Sequence, residues 1–161
     1  MPDNQLEFPL HVDLPPVIVW DALVDEDLVE GWLGRAEIDA RVGGRYDIHW
    51  RSGGELAPVH GVITRFEPIT QLRIDTGPDH FIDFSLTGLP GGSRQTSTRL
   101  VVRLSVPADP RMLGSSIANW RSNLDQLEEL LRGHPVVWET WSEVRGPVWS
   151  GYLREAEDAS G

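Results

Sequence analysis

The amino-acid sequence predicts an α+β fold, in which a curved antiparallel sheet wraps around one long C-terminal helix. Two short helical runs follow directly on the first strand, and a series of segments with strand periodicity comes after them. A single long amphipathic stretch then closes the domain. Strands that wrap around one helix tend to leave space beside it, so the same pattern predicts a cavity.

The first strand and the two short helices are marked by clear start and stop signals. Apolar and polar residues alternate over 6–12, as expected of a half-buried strand. Pro16 suits the first turn of a helix, which we place at 17–23. Asp25 is a good N-cap for a second helix that ends at Gly34.

The following segments alternate with a period of two and are separated by turn residues. Two strands at 36–42 and 45–51 flank Gly43-Gly44, which predicts a tight hairpin because glycine reaches positive φ without steric cost. Further strands are predicted at 59–67, 71–76, 80–87 and 97–106. Short turns between them imply an antiparallel meander.

The long helix is predicted from Asp109, its N-cap, to Gly133. Its apolar side chains form one narrow stripe: Leu113, Ile117, Trp120, Leu124, Leu127 and Leu131. We therefore predict a domain over 1–133. Residues 134–161 form a tail, rich in tryptophan at first and then polar, whose end we expect to be disordered. Its tryptophans predict either a segment that folds back over the domain or a contact with a second subunit.

Composition excludes several classes of function. A net charge of −11 argues against binding to nucleic acid or to anionic membranes. All 14 basic residues are arginine, so a lysine Schiff base is excluded. The chain has no cysteine, no apolar run long enough to span a membrane and no signal-peptide pattern. We expect it in the cytoplasm.

Several short motifs occur in an order that is typical of one superfamily. They are Val19-Trp20 with Ala22-Leu23, Trp32-Leu33-Gly34, Val42-Gly43-Gly44-Arg45-Tyr46, Gly61 with Phe66-Glu67-Pro68 and Leu72, and the stretch from Asn119-Trp120 to Leu127. Together they resemble the helix-grip (START-like, Bet v 1-like) SRPBCC superfamily, and within it the Activator of Hsp90 ATPase 1-like (AHSA1) branch. The resemblance covers residues 5–133 and implies a hydrophobic cavity between sheet and long helix. It implies no single activity.

The cavity walls are predicted from the inward faces of the strands and from the stripe of the long helix. The predicted lining is Trp32, Tyr46, Ile48, Trp50, Ile63, Ile82, Phe84, Leu100, Val102, Ser116, Ile117, Trp120, Asn123 and Leu124. These residues also fit an ordinary packed core. The cavity hypothesis adds that buried tyrosine and tryptophan need hydrogen-bond partners, which a ligand or ordered waters can supply.

The leading hypothesis is therefore binding of a small hydrophobic or aromatic ligand, without a cofactor or metal, by a monomer or homodimer. An alternative is a polyketide cyclase or dehydratase-like enzyme, an activity known among helix-grip relatives. Its acid–base candidates here are Tyr46, His60 and His80. A third hypothesis, a module that interacts with an Hsp90-type chaperone, follows from the family name alone.

Overall fold

The computed structural model describes residues 4–51, 58–78, 80–91, 96–106 and 109–160. Its strands are β1 (Asn4–Val12), β2 (Gly34–Ile38), β3 (Arg45–Trp50), β4 (Val59–Glu67), β5 (Gln71–Gly77), β6 (His80–Pro90) and β7 (Thr96–Val106). Its helices are α1 (Pro16–Val24), α2 (Glu26–Glu30), α3 (Pro110–Leu131), α4 (Trp141–Val144) and α5 (Gly146–Ser160), with a 3₁₀ turn at Trp138–Thr140. None of the described helices is long and apolar enough to cross a membrane.

The strands form one antiparallel sheet in the order β1-β7-β6-β5-β4-β3-β2. Each strand from β2 to β7 pairs with its neighbour along the chain, and β1 returns to pair with β7 over its whole length. The sheet curls around α3, and its inner face supplies most of the apolar core. The predicted α+β architecture and antiparallel meander are confirmed.

The segment from α1 to β3 is held together by two buried aromatic side chains. The last carbonyls of a helix lack partners within it, so they need donors from elsewhere. Here the Trp32 indole N–H donates to Ala22 O at 2.8 Å, and the Tyr46 hydroxyl donates to Leu23 O at 2.6 Å. Both side chains are fully buried. The end of α1 is thereby fixed to the start of the sheet.

The predicted tight hairpin at Gly43-Gly44 is wrong. Strand β2 ends at Ile38, and residues 39–44 form a longer connection. Gly43 has φ of 83°, and its N–H donates to Ile63 O while Gly44 O accepts from Ile63 N. A Cβ on Gly44 would lie 2.0 Å from Asp39 O. The two glycines therefore allow this longer connection to pack closely against β4, and they do not form a two-residue turn. Helix α2 likewise ends at Glu30, before Gly34.

The tail folds back on the side of α3 that faces away from the sheet. Ala118 and Ser122 are buried there, and Gly114 approaches the side chains of Leu153 and Glu157. The polar end predicted to be disordered is instead helical up to Ser160.

Within the tail, Trp141 is buried, whereas Val137 and Val144 are 60% and 64% exposed. The Trp141 indole donates to Gln126 Oε1, whose Nε2 in turn donates to Trp32 O. Helix α3 is therefore packed between the sheet and the tail.

Candidate functional site

A cavity of about 290 Å³ lies where α3 meets one end of the sheet. The end of β3, the start of β4, the end of β5, the start of β6 and the end of β7 all reach this edge, and the first half of α3 crosses it. The described lining is Trp50, Val59, Thr76, Phe81, Ile82, Leu104, Ser105, Met112, Ser116, Asn119 and Trp120. We call this space the end cavity.

Two tryptophans form the aromatic wall of the end cavity. Trp50 and Trp120 meet edge to face, with ring centroids 6.0 Å apart, and Trp120 also contacts Trp32 and Phe84. Edge-to-face contact is a favourable geometry for aromatic rings. In the described part of the chain, neither the Trp50 nor the Trp120 indole N–H has an acceptor. The aromatic wall therefore combines apolar surface with two indole N–H groups.

Polar side chains of α3 lie beside this wall. Ser116 and Asn119 line the cavity, and Asn123 follows one turn after Asn119. Asn119 Oδ1 accepts a hydrogen bond from the Trp149 indole of α5, at 2.7 Å. Asn123 is fully buried, and neither atom of its amide has a partner among the described residues. An unpaired buried amide costs about 1–3 kcal/mol, so Asn123 marks a place where a hydrogen-bonding partner would be favourable.

The sequence matches the family model for Activator of Hsp90 ATPase homolog 1-like protein over residues 13–132. The match spans most of the chain and includes α1, the whole of β2 to β7 and α3. The chain belongs to the AHSA1 family. This confirms the resemblance that the sequence motifs indicated, and the tail with α4 and α5 lies outside the matched region.

Solved structures agree with a helix-grip fold. The crystal structure of CalU16 from Micromonospora echinospora is 25% identical, with a TM-score of 0.65, and the match covers 92% of this chain and 88% of that one. Its solution structure gives a TM-score of 0.71 at 23% identity and covers 98% and 84%. MLL2253 from Mesorhizobium loti is 23% identical, with a TM-score of 0.67 and coverage of 83% and 100%. The sequence matches no protein of curated function.

The predicted cavity residues fall into three groups in this AHSA1 domain. Trp50, Ile82, Ser116 and Trp120 line the end cavity. Most of the others lie in the packed core between sheet and helix: Trp32, Tyr46, Ile48, Ile63, Phe84, Leu100, Val102 and Leu124. Asn123 is buried beyond the cavity wall, and Ile117 lines a separate cleft against α5. Trp120 and its aromatic neighbours fill the middle of the space between the sheet and α3. The open space therefore lies at one end of the sheet.

The three acid–base candidates are not brought together. The Tyr46 hydroxyl is buried and donates to Leu23 O, and burial raises the pKa of this phenol far above its usual value. His60 is exposed on the opposite face of the sheet, 3.5 Å from Asp47. His80 lies at the start of β6, with its Nδ1 at 3.4 Å from Ser105 Oγ. The partners of Tyr46 and Trp32 are backbone carbonyls, so these two side chains need no ligand.

The sequence pattern did not predict several lining residues, because the strands become irregular next to the cavity. In β5 the register shifts between Asp75 and Gly77, which leaves Thr76 without a direct partner. Such a bulge changes which way the following side chains face, so strict alternation no longer predicts the lining. Met112 and Asn119 belong to α3 but lie outside its apolar stripe. The signal for Asn119 was its place beside Trp120, one turn after Ser116.

Across the described ranges, no three histidine or acidic side chains are grouped closely enough to hold a metal ion. The end cavity itself is lined by apolar, aromatic, hydroxyl and amide groups.

Proposed function

We propose that this AHSA1-family protein binds a small, uncharged hydrophobic or aromatic molecule in the end cavity. The observation that carries the proposal is the character of the lining. It combines the Trp50–Trp120 wall with a few hydroxyl and amide groups, and its described part contains no charged side chain. Mostly apolar pockets with a small number of polar groups are the usual form of small-molecule sites.

The volume of the end cavity limits the size of the ligand. An engineered apolar cavity of about 150 Å³ holds benzene. The end cavity has about 290 Å³, which suits a molecule of about two fused rings. A charged ligand is disfavoured, because the described lining offers no ion to compensate its desolvation.

The enzyme alternative is less well supported than binding. A cyclase or dehydratase needs a side chain that gives or takes a proton within reach of the substrate. None of the described lining residues of the end cavity is a histidine or an acidic residue, although His80 contacts the lining at Ser105. The hydroxyl of Tyr46 is hydrogen-bonded to Leu23 O at the end of α1. We therefore propose binding without turnover. We also propose that the protein acts in the cytoplasm. Formation of a cyclised or dehydrated product would favour the enzyme instead.

The test compares a cavity-filling substitution with a matched surface substitution. Ser116→Phe puts a ring into the end cavity, while Ser150→Phe makes the same change at an exposed position of α5. The test compound is 2-ethylnaphthalene, followed by tryptophan fluorescence and by the melting temperature. A ligand at about 100 times its Kd should stabilise the protein by about 2.7 kcal/mol.

We expect Ser116→Phe to weaken binding at least tenfold, about 1.4 kcal/mol, because the ring occupies the ligand's space. Ser150→Phe should bind like the unmodified protein. The proposal fails if the unmodified protein binds neither 2-ethylnaphthalene nor related two-ring compounds. Equal affinities in the two variants would place any binding outside the end cavity. A rise in Hsp90 ATPase rate on addition of the protein would support the chaperone hypothesis instead.

A further inference from the structure

The hydrogen bond between Trp149 and Asn119 fixes which end of the Asn119 amide faces which way. An indole N–H only donates, so the atom of Asn119 that it contacts must be the carbonyl oxygen. The amide nitrogen lies on the other branch of the same planar group. Because Trp149 belongs to α5, which packs on the side of α3 away from the sheet, the oxygen is held toward the tail.

The Asn119 nitrogen has no acceptor among the described residues, and Asn119 lines the end cavity. We infer that Trp149 is a positioning residue, which holds the NH₂ group of Asn119 toward the cavity and thereby selects ligands with a hydrogen-bond acceptor, such as a carbonyl oxygen. The inference rests on the proposed function, since it names the ligand class of the same site. It assigns a role to the tail, which lies outside the residues matched by the family model.

The other polar groups of the cavity point to the same ligand class. The Trp50 and Trp120 indoles are donors without an acceptor in the described part of the chain, and the hydroxyls of Ser116 and Thr76 are able to donate. Donors therefore outnumber obligate acceptors along the described wall. A ligand without an acceptor atom would leave these donors unpaired, which disfavours binding.

The experiment uses two ligands that differ only in the acceptor, 2-acetylnaphthalene and 2-ethylnaphthalene. Their affinities are measured by calorimetry on the full chain and expressed as a ratio. Comparing that ratio between variants cancels the different hydration of the two compounds in water. Trp149→Phe keeps an aromatic ring but removes the N–H, so the Asn119 amide is free to rotate. We expect the affinity for the ketone, relative to that for the ethyl compound, to fall by about threefold to tenfold, which is the effect of one hydrogen bond.

Trp138→Phe is the matched control. It removes a tail indole N–H that donates to Glu30 O at 2.6 Å, away from the end cavity. We expect this variant to keep the ratio of the unmodified protein. An equal change in both variants would show that the tail acts through general stability, and would overturn the inference.

Asn119→Asp tests the orientation directly. The carboxylate still accepts from Trp149, has almost the same shape as the amide, and replaces the NH₂ group with an oxygen. We expect the ketone to lose at least threefold relative to the ethyl compound, because two acceptors then face each other. If both ligands bind and the ratio is the same in all variants, the inference is wrong and the proposed function stands. If neither ligand binds the unmodified protein, both are wrong.

Discussion

Asn123 and Gln126 are two buried amides on the same helix, and they differ in whether their polar atoms are hydrogen-bonded. Gln126 donates to Trp32 O at 2.7 Å and accepts from the Trp141 indole at 2.8 Å. Asn123 has no partner for either of its polar atoms among the described residues. A satisfied buried amide holds elements together, whereas an unsatisfied one lowers stability.

We therefore expect opposite effects from replacing these two amides with leucine. Asn123→Leu should raise the free energy of unfolding by about 1 kcal/mol or more, because an unpaired polar group is replaced by an apolar one of similar size. Gln126→Leu should lower it by about 2–3 kcal/mol, because it leaves the Trp32 carbonyl and the Trp141 N–H unpaired. Urea denaturation measures both. A loss of stability in Asn123→Leu would mean that the amide is hydrogen-bonded in solution.

For individual residues, the sequence predicted correctly which side chains point into the core, but it did not predict their hydrogen-bond partners. Period-two alternation correctly placed Tyr46 and Ile48 inside and His49 and His60 outside. It did not predict that the Tyr46 hydroxyl would reach a helix carbonyl from a distant part of the chain. Such contacts depend on tertiary geometry, which no local pattern encodes. Bulges, as at Thr76, limit alternation for the same reason.

Among the secondary-structure elements, α5 changes the environment of α3 most. It covers the face of α3 opposite the sheet and is anchored by Trp149 on Asn119, Tyr152 on Asp125 and Arg121 on Glu155. Arg121 also lies over the Tyr152 ring, 4.0 Å from its centroid. Burial, with the hydrogen bond and charge of Asp125, raises the pKa of Tyr152 to about 12.

The docking of α5 is expected to weaken at alkaline pH. The folded protein holds the Tyr152 proton more tightly than the unfolded chain, where the phenol titrates near 10.0. The stabilising contribution is therefore complete below pH 10 and is lost as pH rises from 10 toward about 12. Tyrosinate absorbance reports this directly, since the chain has 2 tyrosines and the other, Tyr46, is shifted further in the same direction.

The control for this titration is the protein unfolded in urea, in which both phenols should ionise near pH 10.0. Tyr152→Phe should reduce the loss of stability between pH 10 and 12. Ionisation of one tyrosine near 10.0 in the folded protein would contradict the described contact with Asp125.

Element boundaries show the limits of single-residue signals. Asp25 and Asp109 cap α2 and α3 as predicted, because an N-cap side chain bonds the helix backbone beside it. The lowered pKa of Asp109 follows from its hydrogen bond with the Arg111 backbone. The prediction of a tight hairpin at Gly43-Gly44 was wrong because glycine also occurs wherever another part of the backbone approaches closely, and not in tight turns alone. The end of α5 at 154–160 was expected to be disordered, because its polar composition fits disorder as well as a solvent-facing helix.

For the molecule as a whole, net charge is the property most open to test. The chain carries 25 acidic and 14 basic residues, so repulsive pairs outnumber attractive ones over its surface. The observed ion pairs are mostly exposed, such as Arg41–Asp39 and Arg103–Glu7. Exposed pairs contribute roughly 0–1 kcal/mol each.

Added salt should therefore stabilise this protein. Raising NaCl from about 0.01 M to about 0.1 M shortens the screening length from roughly 30 Å to 10 Å and weakens long-range repulsion most. We expect the melting temperature to rise by about 2–4 °C, the shift that corresponds to about 1 kcal/mol in a chain of this size. An equal osmolarity of sucrose is the control for effects other than screening. A fall in melting temperature would show that the surface ion pairs outweigh the repulsion.

The global architecture was predictable because many weak signals agree on it. One alternating segment, two short helices, six further alternating segments and one amphipathic stripe, in that order, fit few folds. The position of the cavity was not predictable in the same way. It depends on how completely Trp50, Phe84 and Trp120 fill the interior, which is a question of volume and not of pattern.

The packing of α3 on both faces has a consequence for the kinetics of ligand exchange. A helix held by the sheet on one side and by α5 on the other would have to break one of these two interfaces to swing aside and admit a ligand. The route into the end cavity is its rim, where the Met112 side chain is 49% exposed. Thioether side chains rotate easily, and rotamer changes of exposed residues take picoseconds to nanoseconds. Ligand association should accordingly be a single step whose observed rate rises linearly with ligand concentration, without the plateau that a slow helix opening would impose.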